Sequence, residues 1–211
     1  MMKDDNRNPL LEGRPAPPLL VVLSGPSGVG KDTILMRMRD IGFPFHFVVT
    51  ATSRAQRPGE RDGYDYHFVS KDRFEEMIAR GELLEWAEVY GHYKGIPKRE
   101  VGQALQSGRD VILRIDVQGA ATIKRLAPEA VFIFLAPGSF DELRNRLQWR
   151  RTESPDQMEQ RLAMAQREME ALDTFDYVVI NREDHLDDAV GQIRNIMSAE
   201  KQRVRPRRVV L

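Results

Sequence analysis

The chain has 211 residues, with 32 lysines and arginines set against 32 aspartates and glutamates, and no cysteine. That length allows one large domain, or one domain with a sizeable insertion, and lets folding hide about 70% of the unfolded surface without disulfide or structural metal. A formal charge of zero disfavours a whole-surface nucleic-acid binder, and the missing thiol excludes disulfides, zinc-thiolate sites and cysteine nucleophiles and suits a reducing compartment.

Residues 1–18 carry acids and prolines and lack the apolar core of a secretory signal, so a disordered tail is expected there. No apolar run approaches the roughly 20 residues that span a bilayer. The longest are 19–23 and 131–136, and a soluble, cytoplasmic protein without a membrane partner is expected. Short apolar, strand-like runs occur at 19–24, 45–50, 111–116, 131–136 and 177–181. Most are followed by segments with helical spacing, which predicts an α/β fold: an open five-stranded parallel sheet with helices on both faces. Residues 51–98 break the rhythm with Arg-Pro-Gly, Asp-Gly and Gly-Ile-Pro turns, strand-like pieces at 66–69 and 86–90, and a short helix near 71–80. They read as a small mixed insertion at the carboxyl edge of the sheet, where open α/β folds bind ligands. The core is then 19–50 with 99–200. A long amphipathic helix is expected over 155–173, on which Met158, Leu162, Ala165, Met169 and Leu172 form a packing stripe. The basic end, 201–211, reads as a frayed, solvated tail.

The run Gly25-Pro26-Ser27-Gly28-Val29-Gly30-Lys31 lies between the first strand and a helical segment. That is the context a P-loop needs. Glycines let successive backbone N–H groups point into one concavity, the helix N-terminus adds partial positive charge, and the lysine reaches the β- and γ-phosphates. The pattern normally ends in Ser or Thr, whose hydroxyl serves magnesium; here it ends in Asp32, followed by Thr33. A carboxylate is a good magnesium ligand, so Asp32 is assigned to the metal, directly or through water, although beside phosphates its charge requires a compensating cation. Asp116 ends a second apolar strand and is placed near the acceptor or, through water, the metal; capping of the following helix is the plainer alternative.

Within the insertion, Arg54 and Arg57 flank a turn that reaches Glu60, followed by Gly63-Tyr64-Asp65-Tyr66 and then Glu85-Trp86-Ala87. Two arginines three apart, with a tyrosine hydroxyl, suit a second phosphate. Read together with the P-loop, these motifs resemble the guanylate kinase family over about residues 19–200. The resemblance implies ATP as co-substrate, magnesium, and GMP (with dGMP) as acceptor. It assigns Arg54, Arg57 and Tyr66 to the GMP phosphate, and Thr50 and Glu85 to the base. A carboxylate matches the adjacent N1–H and 2-amino donors of guanine and is penalised by adenine, which has no such pair. Glu60, Lys94 and Asp116 complete the acceptor set, and Asn181 joins the nucleotide-binding residues. The resemblance also puts Arg146, Arg150 and Arg161 in or beside a mobile lid, about 148–162, that surrounds the moving phosphoryl group with cations.

Three positions depart from the family pattern: Lys94 stands where a second tyrosine is usual, Ile96 where a hydroxyl residue lies near the base, and Arg114 where many relatives carry an acid. A ribose 1,5-bisphosphate phosphokinase is the first alternative, since such relatives can carry Asp after the P-loop lysine; the full guanine-reading set argues against it. A non-catalytic interaction module is the second, and the retained cations argue against that. The four histidines show no metal-ligand spacing.

Overall fold

The structure is a computed structural model and describes residues 16–89, 91–148 and 155–211. The chain runs through β1 (Leu20–Ser24), α1 (Lys31–Asp40), β2 (His46–Phe47), β3 (Ala51–Thr52), β4 (His67–Phe68), α2 (Lys71–Ala79), β5 (Leu83–Val89) and β6 (His92–Pro97). It continues through α3 (Lys98–Gln106), β7 (Val111–Arg114), α4 (Val117–Leu126), β8 (Val131–Pro137), α5 (Phe140–Gln148), α6 (Pro155–Met169), β9 (Tyr177–Asn181) and α7 (Leu186–Lys201).

One sheet is parallel throughout, in the order β2-β7-β1-β8-β9. Side chains alternate across a strand, and β1 divides accordingly. Val21 and Leu23 pack with Ile34, Met38 and Ile193 on one face, while Leu20 and Val22 pack with Leu113, Ile123 and Phe132 on the other. Every residue of β1 is therefore buried, which is why the sequence reads as a continuous apolar run. Flanked by β7 and β8, β1 delivers its following loop to the middle of the sheet's carboxyl edge. The second sheet, in the order β4-β3-β6-β5, is drawn from the segments between Ala51 and Pro97.

Several expected bounds differ. The second strand forms ladder pairs only at His46 and Phe47, because the Val49 N–H donates to Glu100 Oε1 at 3.0 Å and Glu100 also holds His46 Nε2. Helix α3 thus pulls the chain away from β7. The strand expected over 111–116 stops at Arg114, and Asp116 is the N-cap of α4. In the insertion β5 begins three residues earlier than the expected 86–90 piece, and it pairs antiparallel with β6, a strand the sequence reading did not anticipate. Helix α6 ends at Met169, with a separate short turn over Leu172–Thr174.

The C-terminal stretch is exposed at Val204 and Val210 but is tied to the core between them. Arg207 donates to buried Glu200 at 2.9 Å and to the Ala130 carbonyl at 3.1 Å, Tyr177 donates to the same carboxylate at 2.5 Å, and Val209 packs on the core. Burial raises the Glu200 carboxyl, but hydrogen bonds from Arg207 and Tyr177, with the charges of Arg207 and Arg203, outweigh it and hold the group below its ordinary value. A buried charge is tolerated when it is paired in this way. The expected tail over 1–18 lies mostly outside the described residues, as do Arg150 and part of the lid over 148–162. No helix among the described residues is long and apolar enough to cross a membrane.

Candidate active site

The loop from Gly25 to Gly30 turns the chain from β1 into α1. Gly25 and Gly30 hold φ values of +141° and +99°, a region that a side chain makes costly. Space requires glycine as well: a Cβ at Gly25 would collide with the Leu135 carbonyl, and one at Gly30 would lie 2.6 Å from Asn181 Nδ2. Val29 is buried and anchors the loop in the core. Its carbonyl accepts from Asn181 Nδ2 at 2.8 Å and from Arg146 at 3.1 Å, and Arg146 also donates to the Asn181 carbonyl at 2.9 Å. Arg146 and Asn181 therefore brace the loop from α5 and β9. The Lys31 ammonium folds over the loop and donates to the carbonyls of Gly25 and Pro26 at 2.5 and 3.1 Å. Asp32 and Thr33 lie exposed on the first turn of α1.

Sequence reasoning missed Glu168. From α6 its carboxylate accepts the Ser27 N–H at 2.9 Å, so an anionic side chain sits on the loop's own amide. Burial raises the Glu168 carboxyl, partly offset by the Ser27 hydrogen bond and the charge of Lys31. Nothing in the local sequence marks it among the other charges of that helix; only the packing of α6 on α5, through Leu143, Leu147, Ala165, Met158 and Leu162, brings it there.

On the other side of the crevice, Arg54 grips Glu60 with both terminal nitrogens, at 2.6 and 2.8 Å, and Glu60 also accepts the Arg57 N–H at 2.8 Å. The Arg54 hydrogen bonds hold the Glu60 carboxyl down at about 2. In this state Glu60 organises the arginine turn. Arg54 lies 5.0 Å from the Tyr66 ring centre and Lys94 lies 5.9 Å from it. Burial, with Arg54 and Arg57 nearby, pushes the Lys94 ammonium below its ordinary value. A cation thus remains at position 94, where the resemblance implied a tyrosine.

Glu85 lies on β5, 8% exposed, opposite Ile96 in the ladder. Burial, and secondarily the charge of Asp116, pushes its carboxyl up to about 7. Among the described residues its carboxylate accepts no hydrogen bond, and Gly119 leaves the room it occupies: a Cβ there would lie 2.9 Å from Glu85 Oε1. Thr50 is buried just before β3. Asp116 accepts the Gly119 N–H at 2.7 Å, so the helix cap is observed while its charge is still felt at Glu85, Lys94 and Glu168. Arg161, half-buried on α6, is the remaining expected lid cation within the described residues. Arg114 joins the two sides: it contacts Asp32 and donates to the Tyr66 hydroxyl at 3.3 Å.

A parallel α/β sheet, a glycine loop opening a helix at its carboxyl edge, and a second sheet bearing Arg54, Arg57 and Lys94 nearby define a P-loop protein. Comparison narrows the class. The family model described as guanylate kinase matches residues 18–200. The chain is 50% identical over 196 residues to "Guanylate kinase 2, chloroplastic/mitochondrial" of Oryza sativa subsp. japonica, covering 92% of this chain and 69% of that protein. It is 46% identical to the guanylate kinase of Bacillus subtilis, covering 90% and 94% of the two chains. The crystal structure of guanylate kinase from Anaplasma phagocytophilum superposes with a TM-score of 0.72 at 30% identity, covering 90% of this chain and 88% of that one. The chain belongs to the guanylate kinase family.

Proposed function

We propose that the protein transfers the γ-phosphoryl group of ATP to GMP, and to dGMP, giving ADP and the nucleoside diphosphate. The observation that carries the acceptor assignment is Glu85: its side chain is largely buried and has no protein donor among the described residues, yet its oxygens are not among the fully enclosed unpartnered atoms, so an accessible carboxylate edge is left for a ligand's donors. The N1–H and 2-amino groups of guanine do so with two parallel donors. Arg54, Arg57, Tyr66 and Lys94 take the acceptor phosphate, with Glu60 as organiser of the arginines. The P-loop amides, Lys31 and Asn181 take the triphosphate, and Arg146, Arg150 and Arg161 supply cations around the transferred group. The attacking phosphate oxygen is already anionic at neutral pH, so no general base is needed; positioning and charge stabilisation supply the rate.

Magnesium and a cytoplasmic location belong to the same proposal. Magnesium takes one or two carboxylates and completes its shell with phosphate oxygens and water. Asp32, one of whose oxygens is taken by Arg114, would offer the other to the ion, and Asp116 would contribute through water. When bound, magnesium would offset part of the triphosphate's negative charge.

The test is ADP release from magnesium-ATP with GMP, dGMP, AMP, UMP or ribose 1,5-bisphosphate as acceptor. GMP and dGMP should lead by at least about 10³-fold. A lead for ribose 1,5-bisphosphate, or no release with any acceptor, overturns the proposal.

Glu168 adds a second expectation. Its carboxylate and a nucleotide phosphate compete for the same Ser27 N–H, so the charge must be displaced before ATP seats. Glu168→Gln, which removes that charge at equal size, should tighten ATP binding by about 3–10-fold in calorimetry.

A further inference from the structure

Asp32, which departs from the P-loop pattern, and Arg114, which departs from the family's, touch each other. Asp32 and Arg114 are 82 residues apart in sequence. Strand β7 lies beside β1 with Arg114 in register with Leu23, at the edge from which the phosphate loop departs. The Arg114 guanidinium therefore reaches the first turn of α1, where one terminal nitrogen donates to Asp32 Oδ1, while the other donates to the Tyr66 hydroxyl at 3.3 Å. The Phe47 and Tyr66 ring centres each lie 5.6 Å from it. Its side chain is 17% exposed, against 59% for Asp32.

Each departure is unfavourable alone. A carboxylate at the foot of a phosphate cradle repels the ligand the cradle is built for, and a largely buried guanidinium needs an acid. Together they cancel, leaving the net charge of the cradle as it would be with a hydroxyl at position 32. We propose that Asp32 and Arg114 act as one unit, in which Arg114 is a positioning residue that neutralises Asp32 and, through Tyr66, ties the donor-phosphate loop to the acceptor-phosphate turn. The unit serves the ATP:GMP transfer proposed above and rests on that reading. An arginine is suited to it because its planar fork presents two separated donors, which lysine lacks.

The test is a double-substitution cycle of Arg114→Gln and Asp32→Ser with Arg114→Lys alongside. ADP binding is read by calorimetry in EDTA, without metal or turnover, and KM for GMP is read separately in steady state. Arg114→Gln should weaken metal-free ADP binding about tenfold by leaving Asp32 uncompensated, and Asp32→Ser in the same chain should restore it to within about threefold. Asp32→Ser alone should tighten metal-free ADP binding by several-fold. KM for GMP should stay raised in the double variant, since Tyr66 has still lost its partner. Arg114→Lys should keep ADP affinity within about threefold while raising KM for GMP. Additive losses in the double variant, or unchanged ADP affinity in Arg114→Gln, overturn the proposal. If Arg114→Gln does not fold, unchanged metal-free ADP affinity in Asp32→Ser overturns it instead. A wild-type chain that does not phosphorylate GMP would refute the proposed function while leaving the ADP-binding cycle to judge the pair.

Discussion

Lys31→Met should lower turnover by about 10³-fold or more while leaving GMP affinity within about twofold. The substitution keeps the length and apolar stem and removes only the ammonium. That ammonium donates to the Gly25 and Pro26 carbonyls, which keeps it at the proposed phosphate loop. The loss belongs mainly in kcat, because the ammonium's contribution grows as negative charge moves between the phosphates. Lys31→Arg should not rescue, since a planar fork cannot replace a compact point charge inside a loop of this radius. ADP release and calorimetric GMP titration of the same preparation check both halves. A loss below tenfold would assign the electrostatic work to the arginines.

Arg146 makes a useful contrast. The resemblance implies a lid cation, and the structure adds a bracing role: its guanidinium donates to the carbonyls of Val29 and Asn181 and lies 3.5 Å from Glu142. A bracing residue and a catalytic cation are indistinguishable in a list of arginines, because sequence gives charge and spacing but not the partner. The phosphate loop was legible for the opposite reason: its chemistry lies in backbone amides, and the glycines that permit that backbone, Gly25, Gly28 and Gly30, fall within one short stretch of chain. The parallel sheet was legible from β1 and β8, whose two buried faces leave an uninterrupted apolar signature. β2 was overextended because Val48 and Val49 look like strand residues, while the Glu100 carboxylate that diverts them lies 51 residues further along. β6 escaped notice because its sequence, HYKGIP, has neither alternation nor an apolar run; it becomes a strand only by pairing with β5. Glu168 and the Asp32–Arg114 contact are similar cases. Position 114 stood out only as a departure, and its meaning lay in a residue one strand away.

Glu85, the proposed base reader, gives the other large effect, and its pH dependence separates that role from a structural one. Glu85→Gln should lower kcat/KM for GMP by about 10²-fold, mainly through KM, because one of two charge-assisted hydrogen bonds is lost and the other weakens. Selection of GMP over IMP, which lacks the 2-amino donor, should collapse towards unity. Burial, aided by Asp116, lifts the Glu85 carboxyl from an ordinary 4.5 to about 7. A raised folded-state value means that the neutral form contributes stability fully below the ordinary carboxylate range and loses it as pH rises through about 7. Guanine needs the charged form, so at pH 6 the ligand must expel a proton. GMP affinity should therefore fall towards tenfold per pH unit below about 7, and the binding enthalpy at pH 6 should vary with the ionisation enthalpy of the buffer. The nucleotide's own phosphate also titrates near 6, which makes Glu85→Gln the reference: its phosphate contribution remains, and the carboxyl contribution disappears. Identical proton release from the wild type and Glu85→Gln would mean that the Glu85 carboxyl does not meet the base.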